Sequence, residues 1–391
     1  MIRLNKAIDI VLNQLVMLKS KPVSLEEALF RVLSEDVFAD VDFPSFDKTA
    51  VDGFAIRSQD IKKDWEVIEF IPAGKAPLKS IGEGECSRIM TGAMIPEGAD
   101  MVVMLEHTET LENGRVKLIK TDSKANILKQ GEDIKKGEIV LKKGTSLNSA
   151  HIGILASVGK TQPLVYQKAN VGILSTGSEL VEPSQSIAPP QIRNSNSYQI
   201  QAMCHQLGAT TTNLGVVEDN PNSILQKINS LIENHEIIIF TGGASFGDHD
   251  FSEKVLKELG AEILIQKLAI QPGKPMLFAR LGEKYLFGLS GNPVSSSIQF
   301  ELLVKPLILL IMGNPHLPNI YQLPLTKDME RKKSERDLFF PVQVNHLMEV
   351  EPLNYHGSAH LLAYDKAEAI ACFPIGKTSL KKGEKVDVRF L

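Results

Sequence analysis

The sequence predicts a multidomain protein of mixed α/β and β class. Its centre reads as a three-layer α/β domain on a doubly wound, mostly parallel sheet, with β-rich structure before it and a small β-barrel or sandwich after it. Three observations carry this reading. At 391 residues the chain exceeds one ordinary core, so two to four units are expected. Residues 169–312 alternate short apolar runs with amphipathic stretches, the rhythm of βαβ units and of a sheet covered on both faces. From about Asp40 to Leu147, and again after residue 316, short apolar runs are broken by glycine-rich turns, as in β-structure.

Taken in order, the first forty residues read as helical, and Ser24 with Glu27 in "SLEEALFRVL" has the spacing of a capping box. The phrase "KKGE" occurs at Lys135 and at Lys381, each time before alternating apolar residues, and is read as a hairpin turn. In the α/β region "NVGILS", "TTNLGVV", "EIIIF", "AEILIQ" and "YLFGL" read as strands. "SYQIQAMCHQLG", "SILQKINSLIENH", "FSEKVLKELG" and the long "SSSIQFELLVKPLILLIM" read as helices. The chain closes on "KVDVRFL", where Val386, Val388 and Phe390 share one strand face.

Composition excludes several classes of function. Apolar residues at 43% and charged residues at 23% give the balance of a soluble globular protein. A net charge of -4 offers no global attraction to nucleic acid or an anionic membrane, so any anionic ligand needs a local site. Cys86, Cys204 and Cys372 are far apart, which argues against a disulfide framework, a zinc knuckle or an iron–sulfur cluster and fits a reducing compartment. Lys6 and Asp9 interrupt the apolar N-terminus, which reads as a helix and not as a secretion signal. The apolar run Leu302 to Met312 holds Lys305 and Pro306 and is shorter than the roughly 18 residues of a membrane span; it reads as a buried helix. A cytoplasmic protein with neither nucleic-acid nor membrane partners is expected.

Three strands of the α/β region end alike, in Ser175-Thr176-Gly177, in Thr241-Gly242-Gly243 and in Ser290-Gly291-Asn292. Carboxyl ends of strands in an open parallel sheet line one crevice. Glycine lets the backbone approach a ligand there, and N–H and hydroxyl groups can hold phosphate oxygens. One such turn means little; three facing one crevice make an anion site. Lys274, between two prolines in "AIQPGKP", is placed to neutralise a phosphate, although a loop lysine taken alone reads as solvated. Glu179, Asp219, Asp248 and Asp250 also follow strand ends. Singly, Asp250 could equally cap the helix at Phe251, and Asp219 the helix after Pro221. Together, carboxylates beside a phosphate cradle make electrostatic sense with a divalent cation between them, and Mg²⁺ favours carboxylates plus phosphate and water. No Ser-His-Asp or Cys-His arrangement presents itself, and His249 reads as a rim histidine. The turns in "FPSFDKTAVDGFAI" (Asp47, Lys48, Thr49, Asp52, Gly53) and "RIMTGAMIPEGADMVV" (Thr91, Gly92) read, from spacing alone, as ordinary turns of a β domain.

Eight segments in order, "DKTAVDGFA", "RIMTGAMIPEGADMVVMLE", "QGEDIKKGE", "VGILSTGSEL", "IRNSNSY", "FTGGASFGDHDF", "QPGKP" and "SGNPVSSSIQF", resemble the molybdopterin molybdotransferases, which include the E domain of gephyrin. The resemblance implies insertion of molybdate into adenylylated molybdopterin with Mg²⁺-dependent release of AMP, giving molybdenum cofactor. It implies a homodimer of four-domain subunits. The expected domains are 1–36 with 131–168, an inserted β-rich 37–130, an α/β molybdopterin-binding 169–316, and a C-terminal β-barrel 317–391. The cleft would lie between the second domain of one subunit and the third and fourth of the other. Transient contact with a molybdopterin adenylyltransferase and with cofactor-accepting enzymes is implied too.

Carried over by motif, Asp52, Thr91, Asp133, Glu179, Asp219 and Asp250 are the expected catalytic positions, the last three holding metal. Thr176, Gly177, Thr241, Gly242, Gly243, Ser245, Ser290, Gly291 and Asn292 would bind substrate. Lys267 and Lys274 would hold phosphate, and Arg336 and Ser358 would close the cleft. Three positions depart from the family pattern. Ser178 stands in place of aspartate, Gln271 in place of a lysine, and Ser290 in place of a proline, which is expected to loosen the turn presenting Asn292. A stand-alone adenylyltransferase and a scaffold or pterin-holding paralogue are the alternative readings.

Overall fold

A computed structural model describes residues 1–121, 124–242, 251–315 and 318–391. The N-terminal part is less helical than its sequence reads. A helix at Leu4–Leu12 packs Leu4, Ala7 and Val11 into the main core. The next segment is a strand, Ser20–Pro22, paired with Leu164–Tyr166. The capping box at Ser24 does not form, because only one turn, Leu25–Ala28, follows and the Ser24 side chain caps no backbone N–H. Phe30 in a left-handed conformation, φ 62°, then turns the chain away. The box that does form was not signalled by a glutamate: Asn148 caps the helix Ser149–Ser157, and His151 returns the bond to the Asn148 N–H.

Between Val37–Phe38 and its antiparallel partner Ile139–Leu141, the chain forms a four-stranded sheet of Glu66–Ile71, Glu85–Ile89, Gly53–Ile56 and Met101–Met104. Trp65 is fully buried beneath it, its indole N–H donating to the Asp60 carbonyl at 2.8 Å.

Both "KKGE" phrases are turns with one geometry, and two further turns share it. At Lys129–Glu132, Lys135–Glu138, Lys381–Glu384 and Gly82–Glu85 the glutamate carboxylate accepts from the N–H of the first residue. In each, the third residue is a glycine with φ between 68° and 87°, a conformation that side chains resist. In three of the four an aspartate from a neighbouring segment accepts from the second N–H: Asp47 for Gln130, Asp42 for Lys136 and Asp328 for Lys382.

The central domain carries the predicted rhythm. Its elements are β1 (Asn170–Thr176), α1 (Asn196–Gln206), β2 (Thr210–Val217), α2 (Pro221–Ile232), β3 (Ile237–Thr241), α3 (Phe251–Glu258), β4 (Glu262–Lys267), β5 (Pro275–Leu281), β6 (Lys284–Leu289) and a long final helix. The sheet order is β2-β1-β3-β6-β5-β4. Pairs β1/β2, β1/β3 and β3/β6 are parallel, while β5 is antiparallel to both of its neighbours. Strand β5, "PMLFARL", is an element the sequence reading passed over; it begins on a proline and pairs with β6 through a two-residue turn. Separate apolar layers cover the two faces of the sheet, one around Val171, Ile239 and Phe287, the other around Leu174, Phe240 and Leu286. Because β1 and β3 are in register from Val171/Ile237 to Ser175/Thr241, and Thr241 is level with Leu289, three strand ends finish together.

The final helix runs through three segments: α-helical Pro293–Gln299, a π-turn at Phe300–Val304, and α-helical Lys305–Ile311. It is long and apolar enough to cross a membrane, but 83% of its apolar 18-residue window is buried inside the protein. The C-terminal sheet contains Tyr321–Pro324, Asp337–Val344, Val350–Pro352, Ala369–Phe373 and Lys385–Phe390 around its own apolar core. A bridge from Leu325 to Val350 curls one edge toward the other. Ile270–Gln271 pairs in parallel with Asp337–Leu338, so the loop after β4 is also a strand of this last sheet and fixes it against the central domain.

Candidate functional site

The three level strand ends open into a cleft of about 750 Å³. On one wall Thr176 ends β1 with Gly177 after it, and Thr241 ends β3 with Gly242 after it. The Ser175 and Thr241 hydroxyls lie 2.8 Å apart and tie the two ends together. Gly242 has φ 88°, and a Cβ on it would sit 2.0 Å from the Thr176 carbonyl oxygen; only glycine lets these backbones approach so closely. Ser290, Gly291 and Asn292 follow β6 and line the same cleft. The Ser290 hydroxyl accepts from the Asn292 N–H at 3.3 Å, so the serine that replaces a proline supplies a bond of its own to the turn it was expected to loosen. Asn196, at the start of α1, donates to the Gly291 carbonyl at 2.7 Å.

The facing wall is the loop Gln271–Pro275, which carries Lys274, together with Arg336, Leu338, Tyr355, Gly357 and Ser358 from the C-terminal domain. The Arg336 guanidinium reaches the Ile270 carbonyl at 3.4 Å. Glu179 and Asp219 enter the cleft from beyond β1 and β2. The Glu179 carboxylate folds back to within 2.8 Å of where a Gly177 Cβ would stand. Asp219 is not the cap of α2: Asn220 takes that role, accepting from the Ser223 N–H at 2.9 Å. Two cationic and two carboxylate side chains therefore face one another across a glycine-lined crevice, which suits an anion accompanied by a cation.

Of the residues expected from sequence, Thr176, Gly177, Glu179, Asp219, Thr241, Gly242, Lys274, Ser290, Gly291, Asn292, Arg336 and Ser358 are brought together. Gly243, Ser245 and Asp250, with Asp248 and His249, lie outside the described residues. Lys267 does not line this cleft; it sits at the end of β4, level with Pro275, beside a shallow depression with Met1 and Ile2. Asp133 is exposed on the segment returning from the four-stranded unit, its N–H bonded to Phe43.

Asp52 and Thr91 lie outside the cleft lining but form a pair of their own. One Asp52 carboxylate oxygen accepts from the Thr91 hydroxyl at 2.6 Å and from the Thr91 N–H at 2.7 Å. These two bonds, with Arg88 nearby, hold the Asp52 pKa below the ordinary aspartate value. Thr91→Val removes the first and largest of these influences. The Asp52 carboxyl pKa should then rise toward its ordinary value, read by ¹³C titration; an unmoved titration would dissociate the two residues.

Sequence reasoning missed Asn196 and Tyr355. The Tyr355 hydroxyl finds no hydrogen-bond partner among the described residues, and burial pushes its pKa up to about 12. It packs edge-on against Tyr364, ring centroids 6.5 Å apart. The "NYHGSAH" segment carries no periodicity that marks an aromatic lining residue.

The chain matches three family models in succession: "MoeA N-terminal region (domain I and II)" over residues 2–159, "Probable molybdopterin binding domain" over 172–309, and "MoeA C-terminal region (domain IV)" over 322–391. It is 37% identical to a protein of Staphylococcus epidermidis named molybdopterin molybdenumtransferase, over 99% of this chain and 95% of that one. A Staphylococcus aureus protein of the same name is 35% identical with the same coverage. The crystal structure of the molybdopterin biosynthesis moeA protein from Pyrococcus horikoshii superimposes with a TM-score of 0.86 at 31% identity, over 100% of this chain and 98% of that one. On a fold and an identity that extend from end to end, this chain belongs to the MoeA family of molybdopterin molybdenumtransferases.

Proposed function

We propose that the chain transfers molybdenum from molybdate to adenylylated molybdopterin and releases AMP. The observation that carries this reading is the convergence of three glycine-bearing strand ends, two cations and two carboxylates on a single cleft. Backbone groups at Thr176-Gly177, Thr241-Gly242 and Ser290-Gly291-Asn292 would hold the phosphate and pterin oxygens. Lys274 and Arg336 neutralise phosphate and oxyanion charge, and Ser358 closes the end contributed by the last domain. Such preorganised charges need no reorganisation as charge develops on the reacting groups. The chemistry calls for no nucleophilic side chain.

Glu179 and Asp219 fit a Mg²⁺ ion as part of its shell. Among the described residues no three His, Cys, Asp or Glu side chains form a ready cage, and Mg²⁺ is commonly held by one or two carboxylates with phosphate oxygens and water. When bound, Mg²⁺ supplies charge neutralisation at the phosphates. Asp250 would join these two carboxylates, and Lys267 would lend longer-range positive charge.

We assign Asp52, Thr91 and Asp133 to the cleft of a second copy in a homodimer, where they would face the incoming oxyanion. The first unit leaves Phe30 at 80% and Phe38 at 52% exposed, apolar surface in keeping with a subunit contact. A cytoplasmic location, receipt of substrate from an adenylyltransferase and delivery to cofactor-accepting enzymes complete the proposal.

The test is AMP release from adenylylated molybdopterin, with and without molybdate and Mg²⁺, for the wild type and Glu179→Gln. Release should need both additions and fall about a hundredfold in the variant, the usual scale for a preorganised electrostatic contact. Binding without release would mark a pterin-holding protein, and adenylylation of molybdopterin by ATP would mark an adenylyltransferase; either result overturns the proposal.

A further inference from the structure

The side chain of Gln299 is fully buried on the last turn of the helical segment Pro293–Gln299, behind the cleft and outside its lining. Its amide joins the two walls. The carbonyl oxygen accepts from the Ser290 N–H at 2.8 Å. The NH₂ donates to the Gly273 carbonyl at 2.8 Å and to the Pro275 carbonyl at 2.6 Å. The backbone of Gly273 rests on the same side chain: a Cβ there would come within 3.2 Å of the Gln299 Cγ and amide nitrogen. One buried amide thus spans from the turn after β6, which presents Gly291 and Asn292, to the loop that presents Lys274.

We propose that Gln299 is a positioning residue for the transfer reaction, setting the distance between the Ser290–Asn292 turn and the Gln271–Pro275 loop, and that it is coupled to Ser290. The inference rests on the functional reading above. Its coupling to Ser290 follows from donor chemistry. A proline at 290, as in the family pattern, has no N–H; serine introduces one at a position that is 8% exposed, where a donor without an acceptor is costly. Gln299 supplies that acceptor and spends its two donors on the opposite wall. Asn196 holds the same turn from the α1 side through Gly291, so the turn has two independent anchors and the Lys274 loop draws its side-chain anchor from Gln299.

The test compares wild type, Gln299→Leu, Ser290→Pro and the double variant by two readouts. The first is amide hydrogen exchange, which does not depend on turnover. Gln299→Leu should speed exchange in both 271–275 and 290–292 by about tenfold, the scale of losing buried hydrogen bonds, while the strands of the sheet keep their protection. The second is steady-state AMP release. KM for adenylylated molybdopterin should rise about tenfold in Gln299→Leu with a smaller change in kcat, as expected when the grip on the substrate loosens. The double variant should recover part of both effects, because proline removes the N–H that leucine leaves without an acceptor. Should Gln299→Leu not fold, Ser290→Pro alone strands the amide oxygen and should speed exchange at Gly291, the next residue with an exchangeable N–H. Unchanged exchange in both segments, a KM equal to wild type, or a double variant no better than Gln299→Leu would each overturn the proposal. A wild type that shows the exchange pattern but no turnover would instead count against the transferase reading.

Discussion

Gly242→Ala should abolish turnover and destabilise the protein, the largest effect expected of any single methyl group in the cleft. The added Cβ would lie 2.0 Å from the Thr176 carbonyl oxygen and 2.9 Å from its hydroxyl, both inside van der Waals contact. The clash is with main chain, so no rotamer change relieves it. The left-handed backbone alone costs alanine about 1–2 kcal/mol. Relief requires the ends of β1 and β3 to separate where the Ser175 and Thr241 hydroxyls meet. Displacement of about 1 Å at a reacting centre costs on the order of a hundredfold in rate. Urea unfolding and AMP release measured on the same preparation check this. Stability and turnover near wild type would show that the two strand ends are not in contact.

Lys305→Ala should cost about 3–5 kcal/mol, the usual penalty for stripping one partner from a buried ion pair. The Lys305 ammonium lies 2.7 Å from Glu301, with side chains only 15% and 8% exposed, where the final helix crosses the main core. Burial raises the Glu301 pKa, opposed by Lys305 and more weakly by Arg389. The sign of the pH dependence follows. A folded-state pKa above the unfolded one contributes stability that is complete below the unfolded value and lost as pH rises through the folded value. Removing Lys305 lifts the folded value further. The variant should therefore regain part of its lost stability between neutral pH and about pH 5, where wild type changes less. Urea midpoints at both pH values test it; a loss under about 1 kcal/mol without pH dependence would mean that the pair is solvated.

The central fold was legible because its strands are buried on both faces and stand as unbroken apolar runs between amphipathic helices. Strand β5 escaped for the opposite reason: "PMLFARL" opens on proline and closes near a charged tip, so it resembles a continuation of the loop before it. The cleft was legible in outline, since Thr176-Gly177, Thr241-Gly242 and Ser290-Gly291 each follow a recognisable strand, and strand ends in such sheets are level. Gln299 was not legible. In "SSSIQF" it looks like a polar residue on a helix surface, and nothing local signals that the segment is buried all around. The contact between Asp52 and Thr91, 39 residues apart, depends on the pairing of Gly53–Ile56 with Glu85–Ile89, which spacing alone does not disclose. The helical reading of the first forty residues failed where local propensity lost to pairing with Leu164–Tyr166.

The π-turn at Phe300–Val304 makes the final helix two rods joined out of phase. A π-turn holds one residue more than the α-helix it interrupts, and each residue of an α-helix advances the azimuth by about 100°. The half ending at Gln299 and the half beginning at Lys305 are therefore rotated by that angle relative to an unbroken helix. Both halves are packed on nearly every side, so the offset is fixed by what surrounds each of them. Deleting a single residue within 300–304 restores an even helix and keeps the apolar content almost unchanged. Yet it swings the Gln299 amide about a quarter-turn away from Gly273 and Ser290, or else unseats Leu307 and Ile308 from the core. The length of this helix, counted to the residue, is thus itself a determinant of the cleft.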